Sequence, residues 1–282
     1  MSRSILLRIR YAGLTGIVLA VLFLVIVPNA NAGSGAAPAN RFSVEEAADF
    51  SKQIERDLAA RGARIALVFR TGRDREDLPD GVRYTHGAFW VYQPIRTEDG
   101  ETLYGYAVYN LYHGEEDRLV SNLVQDWPLD FARGDVVGEA GIIIPSPEMQ
   151  RRLFEVMTSS TYSDMHNPAY SLVSNPFNGR YQNCNEFILR VLAAAVWETD
   201  DPVFIQEAIN THFRPAHIRA GFMMRVFGPS VDERLRIDDH NGAIRTVTFR
   251  SLADFMQTNN LASDVYELTA DHLSQGVGES DA

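Results

Sequence analysis

Among its 282 residues the chain has one cysteine, Cys184. A single thiol excludes an intramolecular disulfide, so the core alone must hold the fold. C-x-x-C, H-E-x-x-H, a phosphate-cradling glycine loop and a G-x-S-x-G nucleophile elbow are all absent. There is no internal repeat and no heptad pattern. Acidic pairs such as Glu45/Glu46 read as exposed helix faces, so paired-carboxylate glycosidase chemistry has no specific support. Positive charge is also scarce: 26 Lys and Arg stand against 37 Asp and Glu, a net charge of −11. That balance argues against nucleic acid or an anionic membrane as the main partner. Nothing in this inventory calls for a metal or a cofactor.

What is present begins with an export address. Arg3, Arg8 and Arg10 form a basic start, and Tyr11 to Val27 is an apolar run of seventeen residues. Ala30-Asn-Ala32 fits a small-x-small cleavage site, so residues 1–32 read as a signal peptide with Gly33 the first mature residue. Paired arginines and a lipobox cysteine are missing. The expected location is the periplasm or the medium, with no stable membrane insertion after cleavage; an uncleaved membrane anchor is the alternative. Removing 32 residues from 282 leaves 250, and removing three arginines takes the charge from −11 to −14. That length supports one sizeable core.

Residues 33–42 read as a flexible tether, 43–273 as one α+β domain, and 274–282 as a disordered tail. Ser43-Val-Glu-Glu46 is a capping box opening a helix to about Arg61. Ile65–Phe69 reads as a buried strand. Val82–Ile95 and Thr102–Tyr112 are aromatic, β-rich runs joined by Thr97-Glu-Asp-Gly100, which is hairpin chemistry. Leu119–Phe131 has helical spacing broken by Pro128. Val136–Ile144 reads as a strand, and Ser146-Pro147 starts a helix to about Met157. A polar loop over Thr158–Arg180 leads into the stretch that carries Cys184. Beyond it come a helix over Val203–Phe213, an apolar run at Phe222–Phe227, a strand over Ala243–Phe249 and a short helix from Ser251. The mixed order gives α+β.

Cys184 sits in Tyr181-Gln-Asn-Cys-Asn-Glu186, with Phe187, Ile188, Val191, Leu192 and Ala195 following at helical spacing. Asn183 is placed to cap that helix. A first-turn cysteine feels the positive end of the helix dipole, which favours the thiolate. A nucleophilic thiol also needs a base. Of seven histidines, His86 is the candidate: it lies in a predicted strand, and Gly87 beside it permits close approach. Folding the hairpin about Glu98/Asp99 brings His86 opposite position 111. Asn110 is the nearest side chain able to orient an imidazole, with Tyr112 and His113 as competitors. His212/His217, Asp238-Asp-His240 and His113-Gly-Glu-Glu-Asp117 lack a shared face or read as solvated turns. The alternative to chemistry is that Cys184 packs as a small buried hydrophobe.

Thr85-His-Gly-Ala-Phe89 on a strand, followed 98 positions after His86 by a Cys-bearing helix start, resembles the circularly permuted branch of the papain-like fold. That branch includes relatives of NlpC-type cell-wall peptidases and of lecithin:retinol acyltransferase. The whole mature chain is also similar to a bacterial exported family of unknown function with a Thr-His-Gly strand, a His-Leu-Leu strand and a Tyr-Gln-Asn-Cys-Asn helix start. Here Asn110-Leu-Tyr112 stands in place of the second strand's motif. The resemblance implies a papain-like core at about 84–196, with an antiparallel sheet packed against the cysteine-bearing helix. It implies a thiol hydrolase or acyltransferase in which Cys184 attacks a carbonyl, His86 relays the proton and Asn110 holds the imidazole. Gln182 or Asn183 would join the Cys184 backbone N–H in holding the oxyanion. The expected substrate is a cell-envelope amide or ester, a peptidoglycan peptide before a lipid acyl group. A non-catalytic envelope protein on the same fold is the competing expectation.

Overall fold

Helix α1, Val44–Ala60, starts on the expected capping box: the Ser43 hydroxyl accepts from the Glu46 N–H and the Glu46 carboxylate accepts from the Ser43 N–H. The computed structural model describes residues 41–97, 99–219, 232–271 and 273. The signal peptide, the tether up to residue 40, the turn residue Glu98, the apolar run at 222–227 and the tail from 274 lie outside the described residues. Strand β1, Ile65–Arg70, follows α1, then β2, His86–Arg96, and β3, Thr102–His113.

The chain continues with β4, Ser121–Asp126, α2, Pro128–Arg133, β5, Glu139–Pro145, α3, Pro147–Met157, and a single turn α4, Thr161–Asp164. Helix α5, Cys184–Trp197, carries the cysteine. After it come α6, Pro202–His212, β6, Ala216–Ile218, β7, Ile244–Thr246, α7, Phe249–Thr258, and β8, Ala262–Thr269. The six long strands form one antiparallel sheet in the order β4-β3-β2-β1-β5-β8, and β6 pairs β7 separately. The class is therefore α+β, with helices on both faces of an antiparallel sheet.

Strand alternation divides the core. Leu67, Phe69, Phe89, Val91 and Leu111 face α5, whose Phe187, Ile188, Val191 and Leu192 are buried against them. Ala66, Val68, Ala88, Trp90 and Val108 face the other way, onto Phe50, Ile54 and Leu58 of α1 and Phe131 of α2. A residue's parity on β2 thus decides which helix layer it meets. Among the described residues no helix is long and apolar enough to cross a membrane.

Leu119–Phe131 is not a helix broken by proline. Its first half is β4, pairing β3 from Val108–Asp126 to His113–Ser121, and Pro128 opens α2 at its first turn. Edge pairing overrides the helical spacing there, and proline, which has no N–H to lose at a helix start, begins rather than ends the helix.

Candidate active site

The site lies where β2 and β3 part. Pairing of β2 with β3 runs from Arg96–Thr102 to Phe89–Tyr109 and stops. Beyond it β2 stays with β1 as far as Arg70–His86, and β3 stays with β4 as far as His113–Ser121. The Gly87 N–H, which a continued ladder would occupy, is directed instead at the sulfur of Cys184.

Asn183 builds the helix start that holds that sulfur. Its Oδ1 accepts from the Glu186 N–H at 3.0 Å. Its Nδ2 donates to the Leu172 carbonyl at 3.1 Å and the Thr246 hydroxyl at 3.4 Å. Its backbone N–H donates to the Ser174 hydroxyl at 3.1 Å. Cys184 is 5% exposed, and its thiol faces Asn185 Oδ1 at 3.8 Å. Asn185 is fixed by a 3.2 Å hydrogen bond from its Nδ2 to the Val247 carbonyl. Gly87 is required here: a Cβ would stand 2.6 Å from the Phe69 ring and 2.9 Å from Asn185 Oδ1.

His86 and Asn110 are brought together. The imidazole Nε2 and Asn110 Oδ1 are 2.9 Å apart, and Asn110 Nδ2 donates to Asp126 Oδ2 at 3.2 Å. Asp126 as acceptor sets the amide's orientation, so Asn110 Oδ1 must accept a proton held on Nε2. His86 Nδ1 then carries the free lone pair. The ring lies flat on Tyr112, with centroids 4.9 Å apart and planes 11° apart, and Phe131 covers it at 5.7 Å. Of the competitors, Tyr112 stacks rather than orients, and His113 bonds Gly114 and Arg234 instead.

No hydrogen bond joins the imidazole to the sulfur; the sulfur's contact on β2 is the next residue, Gly87. By parity His86 projects with Ala88 and Trp90 toward α2, while Gly87 faces α5. The two groups share one end of one strand, at the gap between β2 and β3.

Electrostatics correct the expectation of a resting thiolate. Burial pushes the Cys184 thiol up, outweighing the N–H groups of Gly87, Asn185 and Cys184 and the charge of Arg70. Burial, then Arg70, pushes His86 down to about 3, against the Asn110 hydrogen bond. The pair at rest is a neutral thiol and a neutral imidazole. Arg70, paired across from His86, is itself buried and lies over the Phe131 ring at 5.3 Å. Its charge opposes an imidazolium and favours a thiolate.

The side-chain amides of Gln182 and Asn183, the expected oxyanion donors, are engaged by other partners. Gln182 Oε1 accepts from the Asn167 N–H at 2.8 Å and its Nε2 donates to the Met165 carbonyl at 2.9 Å. The Asn183 amide is committed to capping and to Leu172 and Thr246. The first-turn N–H groups of α5 are the donors left at the sulfur. Arg70, Asp126 and Asn185 were not singled out in the sequence. Asp126 was hidden in the segment with helical spacing; a strand reading of that segment would have placed it beside Asn110.

Burial raises Asp126 to about 6, with the Tyr112 hydroxyl opposing. A carboxyl raised in the folded state binds its proton more tightly there than when unfolded. It contributes stability fully below the ordinary carboxylate range, and that contribution is lost as pH rises through about 6. Asp126→Asn should remove that part of the slope between pH 4 and 7 in urea unfolding midpoints. An unchanged slope would contradict the assignment.

A cavity of about 480 Å³ opens beside Cys184 and Asn185, between the loop before β2 and the segments around Leu172, Ile244 and Val247. Among the described residues no group of three or more His, Cys, Asp or Glu is arranged to hold a metal ion.

Residues 57–256 match the model of a family described as "Uncharacterized protein conserved in bacteria (DUF2145)". No curated protein and no solved structure matches the chain.

Proposed function

We propose that this chain, which belongs to that uncharacterized bacterial family, is a thiol hydrolase or acyltransferase working through a cysteine thioester. One observation supports the reading: the sulfur meets the Gly87 N–H at the strand gap, at the same end of β2 as an imidazole that Asn110 holds at 2.9 Å on the other side of the strand. His86 Nδ1, which makes no hydrogen bond to the sulfur at rest, takes the thiol proton through one water at the strand gap as Cys184 Sγ attacks an ester or amide carbonyl. A C–S bond forms, the carbonyl oxygen takes the negative charge, and the N–H groups of Cys184 and Asn185 hold it. The C–O or C–N bond breaks, and the departing group leaves with the proton from His86. Water or another acceptor then attacks the thioester, His86 takes its proton, and that proton returns to sulfur. Because the pair is neutral at rest, proton transfer accompanies attack.

A permuted papain-like core at about 84–196 belongs to the same proposal. Its support is an antiparallel sheet packed on the cysteine-bearing helix, with His86 and Asn110 on adjacent strands. Export to the periplasm rests on residues 1–32, and the substrate class on that location: an amide or ester of the envelope.

A second reading has its own support. Cys184 is 5% exposed and neutral, as a packing residue would be. On that reading the fold is a non-catalytic envelope protein. Iodoacetamide near pH 7 separates the two. The enzyme reading expects one equivalent of label on Cys184 in the folded protein, with labelling slowed at least tenfold in His86→Ala. A thiol that labels only after unfolding, or at a rate indifferent to His86, supports packing.

A further inference from the structure

Resting on the thiol reading above, we infer that the group accepted next to Cys184 is a linear aliphatic acyl chain, not an anionic peptide. The cavity beside the sulfur has about 480 Å³, within the size of a small-molecule site. Val82, Tyr84, Leu172, Ile244 and Val247 supply apolar walls. Ile244 and Val247 are 2% exposed, so those walls belong to the folded core.

Its charged residues fit no anion. Arg73 is the one cation among the lining residues described, and it is paired with Asp232 at 3.6 Å. Asp232 also takes Arg234 at 2.6 Å. The remaining charged lining residue, Asp77, is acidic. A peptide carboxylate entering this cavity would be desolvated with no unpaired cation among the described lining residues, at a cost the apolar walls cannot return. A methylene chain loses only water there, and it leads its carbonyl to the sulfur.

Such an acyl group could be carried by an alcohol, as in a lipid ester, or by an amine, as in an acylated peptide. The test uses purified protein and two uncharged series from two to eight carbons: glycerol monoesters and N-acylglycinamides. p-Nitrophenyl acetate serves as the control for the thiol reaction itself. In the series with the right leaving group, kcat/KM is expected to rise about fourfold for each added methylene. Val82→Trp, which narrows the cavity from a loop, should cut the ratio of eight-carbon to two-carbon kcat/KM at least tenfold. Thermal unfolding checks that the variant is folded. A gain confined to the monoesters assigns an alcohol-borne acyl group, and one confined to the amides assigns an amine-borne group.

Three results overturn the inference. The first is no chain-length gain in both series while acetate is cleaved through Cys184, which leaves the thiol reading standing. The second is faster cleavage of a glutamate-containing peptide amide than of either series. The third is no reaction with any probe, including p-nitrophenyl acetate, which removes the thiol reading as well.

Discussion

Cys184→Ala should reduce p-nitrophenyl acetate hydrolysis to the uncatalysed background, and His86→Ala should lower kcat/KM by roughly 10²–10⁴-fold. The two losses should not add in the double variant, because base and nucleophile act as one unit. The electrostatics explain why the base matters so much. Burial holds the thiol above its ordinary value, so few molecules carry a thiolate at neutral pH. Without an acceptor for its proton, the sulfur is a poor nucleophile. His86 is pushed down to about 3, so its lone pair is free throughout the neutral range. Protonation of His86 therefore cannot produce an acid limb near the ordinary histidine value of ~6.5. Hydrolysis that survives in Cys184→Ala, or that is untouched in His86→Ala, would assign the activity elsewhere.

The largest stability loss is expected from Arg190→Ala. Glu186, two residues beyond the cysteine, is fully buried, and its Oε1 is 3.1 Å from Arg190 Nη2, one helical turn on. The same Nη2 also donates to Gln206 Oε1 at 2.7 Å, tying α5 to α6. Removing the guanidinium leaves a buried carboxylate without its partner, a change that costs about 3–5 kcal/mol. For a domain of this size that lowers Tm by about 10 °C. The loss has a definite pH sign. Burial already raises Glu186, and Arg190 opposes it, so without Arg190 the carboxyl is raised further. The variant is then least impaired at acid pH, where Glu186 is protonated, and loses stability as pH rises. Glu186→Gln in the same chain should recover most of the loss. A calorimetric drop of less than about 1 kcal/mol, equal at all pH values, would contradict this account.

Local chemistry carried much of this architecture in legible form. Ser43 and Glu46, Ser146 before Pro147, and Asn183 before Cys184 are all caps whose side chains bond the backbone as their types demand. The hairpin from His86 to His113 was readable because its aromatic strands flank turn residues. What escaped depended on distant pairing. Strand β4 has apolar residues spaced as in a helix, and only the exposed edge of β3 makes it a strand. Strand β8 pairs β5 along its length, yet none of its residues is fully buried and half are exposed, so its apolar signal is weak.

The pairing of His86 with Asn110 was legible to within one residue. The hairpin register extends His86 toward Tyr112 rather than toward position 111, and the aromatic stack follows from that. Asn110 still reaches the imidazole because the strands separate there. The charge state was misjudged because a helix dipole is visible in sequence, whereas the depth of burial around Cys184 is not. The same limit hid the commitments of the Gln182 and Asn183 amides, which depend on segments as distant as Met165 and Thr246.

The most direct test of the thiol account is the mass of the protein quenched in acid during turnover of p-nitrophenyl acetate. The account predicts one acetyl group, located by peptide mapping on Cys184, missing in Cys184→Ala and formed far more slowly in His86→Ala. An unmodified chain throughout turnover, or an acetyl group on any other residue, would contradict it.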